Sequence, residues 1–172
     1  DGVNKHRPGY DLTFSAPKGV SMMILMGGDR RLAEAWNRSV NTAIQEVEKT
    51  VSARITEDGK TATVATENMV AALFAHDTSR NLDPHYHVHA LLMNATFAEG
   101  KWRALASDPR LKTGTGDMIY ANQLAIGNIA MQEMRRKVHA LGYETVDSGK
   151  NGLWELKDVP VDEFSTRRQD IA

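Results

Sequence analysis

Histidine is the residue type in this chain whose spacing could do chemistry. Of six histidines, four fall in HDTSRNLDPHYHVH, the stretch from His76 to His89. On a β-strand His87 and His89 leave on one face, while Tyr86, Val88 and Ala90 leave on the other. The preceding run MVAALFAH reads as a partner strand, and DTSRNLDP as a polar, Pro-closed connection. Folding one run back on the other sets His76 opposite the His-x-His pair. Three imidazoles on one sheet face make a metal site with positions left open for substrate. His85 shares the parity of His87 and reads as a fourth ligand or a rim residue. Spacing alone leaves a pH-sensing cluster or a His-rich surface loop as alternatives.

The composition limits what such a site can be. There is no cysteine, so a metal must use imidazole, carboxylate or water. At 172 residues the chain reads as a single domain, 1–172, with 41% hydrophobic and 25% charged residues, as in soluble globular proteins. The formal net charge of −1 argues against a generally basic nucleic-acid binder but leaves room for a locally basic groove. No apolar run approaches the roughly 18 residues of a membrane span, and DGVNKHRPG is not a signal peptide. The chain starts without Met directly ahead of a strand, which reads as a piece of something longer.

Several elements must position the histidines. GYDLTFSA alternates, with Tyr10, Leu12 and Phe14 on one face and Asp11, Thr13 and Ser15 on the other, so the strand is half buried and its polar face is wet or functional. Ser15-Ala-Pro-Lys18 reads as a helix start with Ser15 as cap, and the short helix stops at Gly27-Gly28. Asp29 caps a longer helix to about Thr50, with Leu32, Ala35, Trp36, Ala43, Ile44 and Val47 on its apolar side. Ser52–Thr56 and Thr61–Thr66 flank the hairpin signal EDGK. The two central strands span about 69–76 and 86–97, and AEGK turns the chain into a short strand at 102–105. A loop carrying Arg110 and Lys112 leads to one long amphipathic helix, about Asp117 to Leu141. A hairpin around GKNG and a last helix from VDEFSTRRQDI close the chain. Hairpins without βαβ alternation argue for α+β, a central antiparallel sheet with helices packed on one face.

At HRPGYDLTFSAPKGVSMM and HDTSRNLDPHYHVHA the chain strongly resembles conjugative relaxases of the MobF class, the TrwC and F-plasmid type. The first segment is similar to the family's strand-and-helix block ending in SAPKSVS, with Gly19 here in place of the second Ser. The second is similar to the three-histidine signature that names the HUH endonucleases. The resemblance extends through YANQLAIG, ALGYET and GLWEL, and it implies the palm-like core of a relaxase domain.

The resemblance implies a DNA relaxase: strand-specific nicking at a plasmid origin of transfer. In that reaction a tyrosine hydroxyl attacks the scissile phosphate, leaving a 5′-phosphotyrosine and a free 3′-hydroxyl. Carried over by motif, His76, His87 and His89 hold a divalent ion (Mg, Mn or Zn). Neutral imidazoles leave such an ion more of its charge for the phosphate than carboxylates would. Asp11 matches the aspartate that orients a ligand or accepts the tyrosine proton; from the pattern alone it is as readily an exposed strand carboxylate. Arg80, Lys18 and Lys112 are candidate phosphate contacts, and Gln123 a candidate base reader. Implied partners are single-stranded DNA at the origin, relaxosome accessory proteins and a coupling protein, with cytoplasmic residence and export to the recipient during conjugation.

The family's tyrosine cluster lies upstream of the block with which this chain opens, and its lid and helicase regions lie beyond Ala172. None of Tyr10, Tyr86, Tyr120 and Tyr143 sits in a matching motif, and Tyr10 and Tyr86 have the parity opposite to the histidines. The expectation is a metal platform without its nucleophile, inactive alone. The alternatives are a non-catalytic single-stranded DNA-binding module of relaxase descent, or another three-His metal-dependent hydrolase.

Overall fold

The structure is a computed structural model that describes residues 7–107 and 114–161. Its elements are β1 (Gly9–Ser15), α1 (Lys18–Leu25), α2 (Arg30–Glu48), β2 (Ser52–Glu57), β3 (Lys60–Ala65), β4 (Ala71–Thr78), β5 (Pro84–Met93), β6 (Thr96–Ala98), β7 (Lys101–Arg103), α3 (Thr115–Ala121), α4 (Gln123–Ala140), β8 (Thr145–Asp147) and β9 (Trp154–Leu156). The class is α+β, as the pattern of hairpins without βαβ units requires. The strands divide into a three-stranded sheet in the order β1-β5-β4 and three two-stranded ribbons, β2-β3, β6-β7 and β8-β9.

Two compact units share these elements: Asp1–Leu12, Ile44–Leu73 and Ala90–Ile126 form one, and Thr13–Ala43, Phe74–His89 and Gly127–Ala172 the other. In the first, β2 and β3 pair antiparallel from Ser52 opposite Ala65 to Glu57 opposite Lys60. Asp58 and Gly59 turn that hairpin with φ of 48° and 74°, the left-handed pair that matches the twist of the strands. Val51, Ala53, Ile55, Ala90, Leu92 and Leu105 supply its core. Gly9 is required here, because a Cβ would stand 2.2 Å from the Leu92 carbonyl oxygen.

The second unit is built on Val20, Leu32, Trp36, Val40, Val88, Met134, Val138 and Trp154, all at most 2% exposed. The Trp154 indole donates to the Met131 carbonyl at 3.0 Å, so the bulky ring is buried with its polar atom satisfied. The start of α1 departs from expectation. Pro17, not Ser15, is the N-cap, and it makes no side-chain capping bond. Proline has no side-chain acceptor, and Ser15 is still within β1. The carboxylate of Glu155 in β9 takes over, accepting Lys18 N–H and Gly19 N–H at 2.8 Å each. Asp29 does cap α2, its Oδ1 accepting Arg31 N–H at 3.0 Å.

The single long helix expected over 117–141 is two helices broken at Asn122, whose φ of −108° and ψ of 13° leave the helical region. Its side-chain amide donates to the Met118 carbonyl at 2.9 Å, the local competition with the helix ladder at which asparagine excels. Gly142, at φ 92°, ends α4 as expected, with Tyr143 N–H reaching back to the Val138 carbonyl at 3.0 Å. The loop bearing Arg110 and Lys112 and the closing helix after Val161 lie outside the described residues.

Candidate metal centre

The central strand of the three-stranded sheet is β5, and its alternation is plain in its burial. Val88, Ala90 and Leu92 are at most 2% exposed. His85, His87, His89, Leu91 and Met93 leave from the opposite face, where Leu91 and Met93 are open to solvent. Backbone bonds from Ala16 N–H to the Tyr86 carbonyl (3.0 Å) and from Asn94 N–H to the Pro8 carbonyl (2.9 Å) run β1 antiparallel to β5. That register brings Thr13 opposite His89.

The turn after β4 sets the third histidine. Ser79 N–H donates to the Asp83 carbonyl at 3.0 Å, and the Ser79 hydroxyl oxygen accepts from Asn81 N–H and Asp83 N–H at 3.2 Å each. Leu82 takes the left-handed φ of 61° that closes the reversal. Pro84 therefore opens β5 instead of ending the loop, and β4 runs on to Thr78, two residues past His76.

The outcome is a triangle of rings. Centroid separations are 5.3 Å for His76–His87, 5.1 Å for His76–His89 and 5.2 Å for His87–His89. His85 extends the group, stacked on His87 at 4.7 Å. His87 is buried and His76 exposed. His87 Nδ1 lies 2.9 Å from the His85 carbonyl oxygen. A carbonyl only accepts, so Nδ1 carries the proton, and in the neutral ring the lone pair is on Nε2. His89 Nδ1 lies 3.3 Å from the Thr13 hydroxyl.

Among the described residues no group of three or more His, Cys, Asp or Glu stands ready to hold a metal ion. The His76 ring stacks on His87 with planes 22° apart and meets His89 edge-on, with planes 80° apart. His76 is exposed, and the second side-chain torsion of a histidine is broad. The donor set, three imidazoles with His87 already held as the Nε2 ligand form, fits a divalent ion.

The other candidates fall as follows. Asp11, Thr13 and Ser15 form the exposed face of β1, as the alternation implies. Arg80 is exposed in the β4–β5 turn, and Gln123 is exposed at the first position of α4. Lys18 is half-buried, its ammonium donating to the Pro84 carbonyl at 2.9 Å, so it tethers the start of β5 to α1. Lys112 lies outside the described residues. Of the tyrosines, Tyr10 packs edge-on against Tyr120 at 6.2 Å, under the Arg7 guanidinium. The Tyr86 hydroxyl donates to Asn37 Oδ1 at 3.4 Å, and the Tyr143 hydroxyl to Asp29 Oδ2 at 2.7 Å.

Two features escaped the reading of motifs. Glu155 lies 136 residues from the glycine it caps, and burial pushes its carboxyl above the usual range despite the bonds from Gly19 and Lys18. Thr13 was visible only as one small polar residue of an alternating strand, with no local signal of its histidine partner.

The TrwC relaxase family model matches residues 1–172. The multifunctional conjugation protein TraI of Escherichia coli is 53% identical over 171 residues, which is 99% of this chain and 10% of that protein. TraI of Escherichia coli strain K12 is 52% identical over the same share. A metal-bound structure of the conjugative relaxase TrwC in complex with oriT DNA superposes with a TM-score of 0.87 at 34% identity, over 99% of this chain and 57% of that one. TrwC complexed with a 27-mer DNA comprising the recognition hairpin and the cleavage site gives 0.84 at 34% identity, over 95% and 56%. The chain thus spans about a tenth of its curated relatives and a little over half of the solved chains.

Proposed function

The chain belongs to the TrwC relaxase family, and on that premise we propose that it carries the metal platform of a DNA-nicking relaxase acting at a plasmid origin of transfer. The observation that supports this reading most directly is the triangle of His76, His87 and His89, with sides of 5.1 to 5.3 Å on adjacent strands. His76, His87 and His89 hold a divalent ion, Mg, Mn or Zn, through neutral nitrogens. When bound, that ion supplies positive charge to the phosphate oxygens on which negative charge develops.

The chain's own residues carry the remaining roles. The His85 carbonyl fixes the His87 tautomer. Asp11, on the exposed face of β1, orients a ligand or accepts the proton of the attacking tyrosine hydroxyl. As the tyrosine oxygen bonds to phosphorus, the bond to the 3′-oxygen breaks, giving a 5′-phosphotyrosine and a free 3′-hydroxyl. Tyr10 and Tyr86 leave their strands on the face opposite the histidines, and Tyr143 is committed to Asp29. We assign the attacking hydroxyl to none of the three. Arg80, Lys18 and Lys112 are proposed phosphate contacts, and Gln123 a base contact.

Among the described residues no helix is long and apolar enough to cross a membrane. Relaxosome accessory proteins, a coupling protein, cytoplasmic residence and export to the recipient belong to the same proposal and rest on the family alone.

Calorimetric titration of the metal-stripped chain with Mn²⁺ and Zn²⁺, beside a His87→Ala, His89→Ala variant, tests the platform. Saturation near one equivalent in the wild type, lost in the variant, is the expected result. Equal heats from the two proteins would remove the histidines from the site.

A further inference from the structure

We propose that Thr13 is a positioning residue for His89, holding that ring in the tautomer that offers Nε2 to the ion. The proposal rests on the metal platform described above and adds a residue to it. The Thr13 hydroxyl stands 3.3 Å from His89 Nδ1, across adjacent strands. A threonine hydroxyl can donate or accept, so the contact alone suits either ring form. The neighbouring ring supplies the direction. His87, two residues away on the same face, has its Nδ1 bound to a carbonyl, which leaves Nε2 to offer a lone pair. For His89 to bind the same ion on the same face, its Nε2 must carry a lone pair, its Nδ1 must carry the proton, and the Thr13 oxygen must accept it.

The two rings are thus governed by different devices. His87 takes its orientation from the main chain, through the carbonyl of His85 on its own strand. His89 takes its orientation from a side chain of the neighbouring strand β1. This distribution makes the second ring sensitive to loss of the Thr13 hydroxyl, while the bond that holds the first ring stays within β5. It also gives the alternation of Asp11, Thr13 and Ser15 a use beyond solvation: the hydroxyl of the middle member reaches a ring of the neighbouring strand. Threonine suits the place doubly, since its β-branched side chain favours the strand and its hydroxyl is short enough to stay in register.

The test uses the whole 172-residue chain with Thr13→Val, which keeps the shape and removes the hydroxyl, and Thr13→Ser, which restores it. In the metal-free protein, imidazole ¹⁵N shifts report which ring nitrogen carries the proton. The Val variant is expected to move His89 toward the Nε2–H form while leaving His87 unchanged, and Ser to restore the wild-type spectrum. Calorimetry with Mn²⁺ or Zn²⁺ is expected to show about 10- to 100-fold weaker binding for Val and near-wild-type binding for Ser. An unchanged His89 spectrum in the Val variant would overturn the role of Thr13 even if metal binds normally. If instead the wild type binds no metal, the platform reading fails, and the tautomer shift still decides whether Thr13 positions His89.

Discussion

The carboxylate of Glu155 accepts the backbone N–H of Gly19 at 2.8 Å, although the two residues are 136 positions apart. A helix start that lacks its own cap has been completed from the far end of the chain. The same carboxylate holds Lys18 N–H, and Lys18 in turn ties its ammonium to the carbonyl of Pro84, where the histidine strand begins. The contact therefore links β9, through α1, to the first residue of β5.

Replacing Glu155 with Ala leaves two partly buried N–H groups without that acceptor, and unfolding in urea is expected to show a loss of about 1–2 kcal/mol. Burial raises the Glu155 carboxyl above its ordinary 4.5. A raised folded value means that the fold binds the proton more readily than the unfolded chain does. This contribution is full below about 4.5 and fades as pH climbs through the folded value. The gap between wild type and variant should therefore narrow as pH rises through that window; a gap that widens would contradict the assignment.

Asp29 responds in the opposite sense. The Arg31 guanidinium grips both its oxygens, at 2.9 and 2.6 Å, and the Tyr143 hydroxyl adds a bond at 2.7 Å, together holding its carboxyl far below the ordinary 3.8. Glu133, bound by Arg136 and Lys137, is lowered to about 2. Both groups contribute stability that is complete above the unfolded value and lost as pH falls through the folded one. Asp29→Asn keeps a side chain that can cap the helix but removes the charge that Arg31 grips, so it should lower stability at neutral pH and flatten the acid limb of a stability–pH curve. A variant with the same acid limb as wild type would show that the limb belongs to other carboxyls.

Single-stranded origin DNA incubated with the 172-residue chain and Mn²⁺ is expected to give no covalent adduct on a denaturing gel. An adduct abolished by Phe at position 10, 86, 120 or 143 would identify a nucleophile and overturn this expectation. Arg80→Ala should weaken binding of the same DNA and reduce the dependence of log K on log salt by about 0.7–1, the contribution of one phosphate contact. An unchanged slope would place Arg80 away from the backbone.

Much of the site was legible in the residues themselves. Alternation is a local property of a strand, so grouping His87 with His89 on one face of β5, and Asp11 with Thr13 and Ser15 on one face of β1, required only a period of two. The hairpin at Asp58-Gly59, the cap at Asp29 and the stop at Gly142 were legible for the same reason: each depends on the backbone preference of one or two residues. The order of motifs carried the family.

Other features depend on which distant segments meet, and only the tertiary structure decided them. Whether the N–H groups at the start of α1 would be capped at all rested on Glu155 arriving from β9. Whether one helix or two would follow residue 114 turned on a single Asn122 amide competing with the ladder, where the apolar period continued unbroken. That Thr13 faces His89 follows from the register of β1 on β5, which the bonds at Ala16 and Asn94 set. The sequence alone determined which side chains share a face, because that is covalent geometry repeated along a strand. Which faces meet is a matter of packing between segments, and there the register of the sheet had the final word.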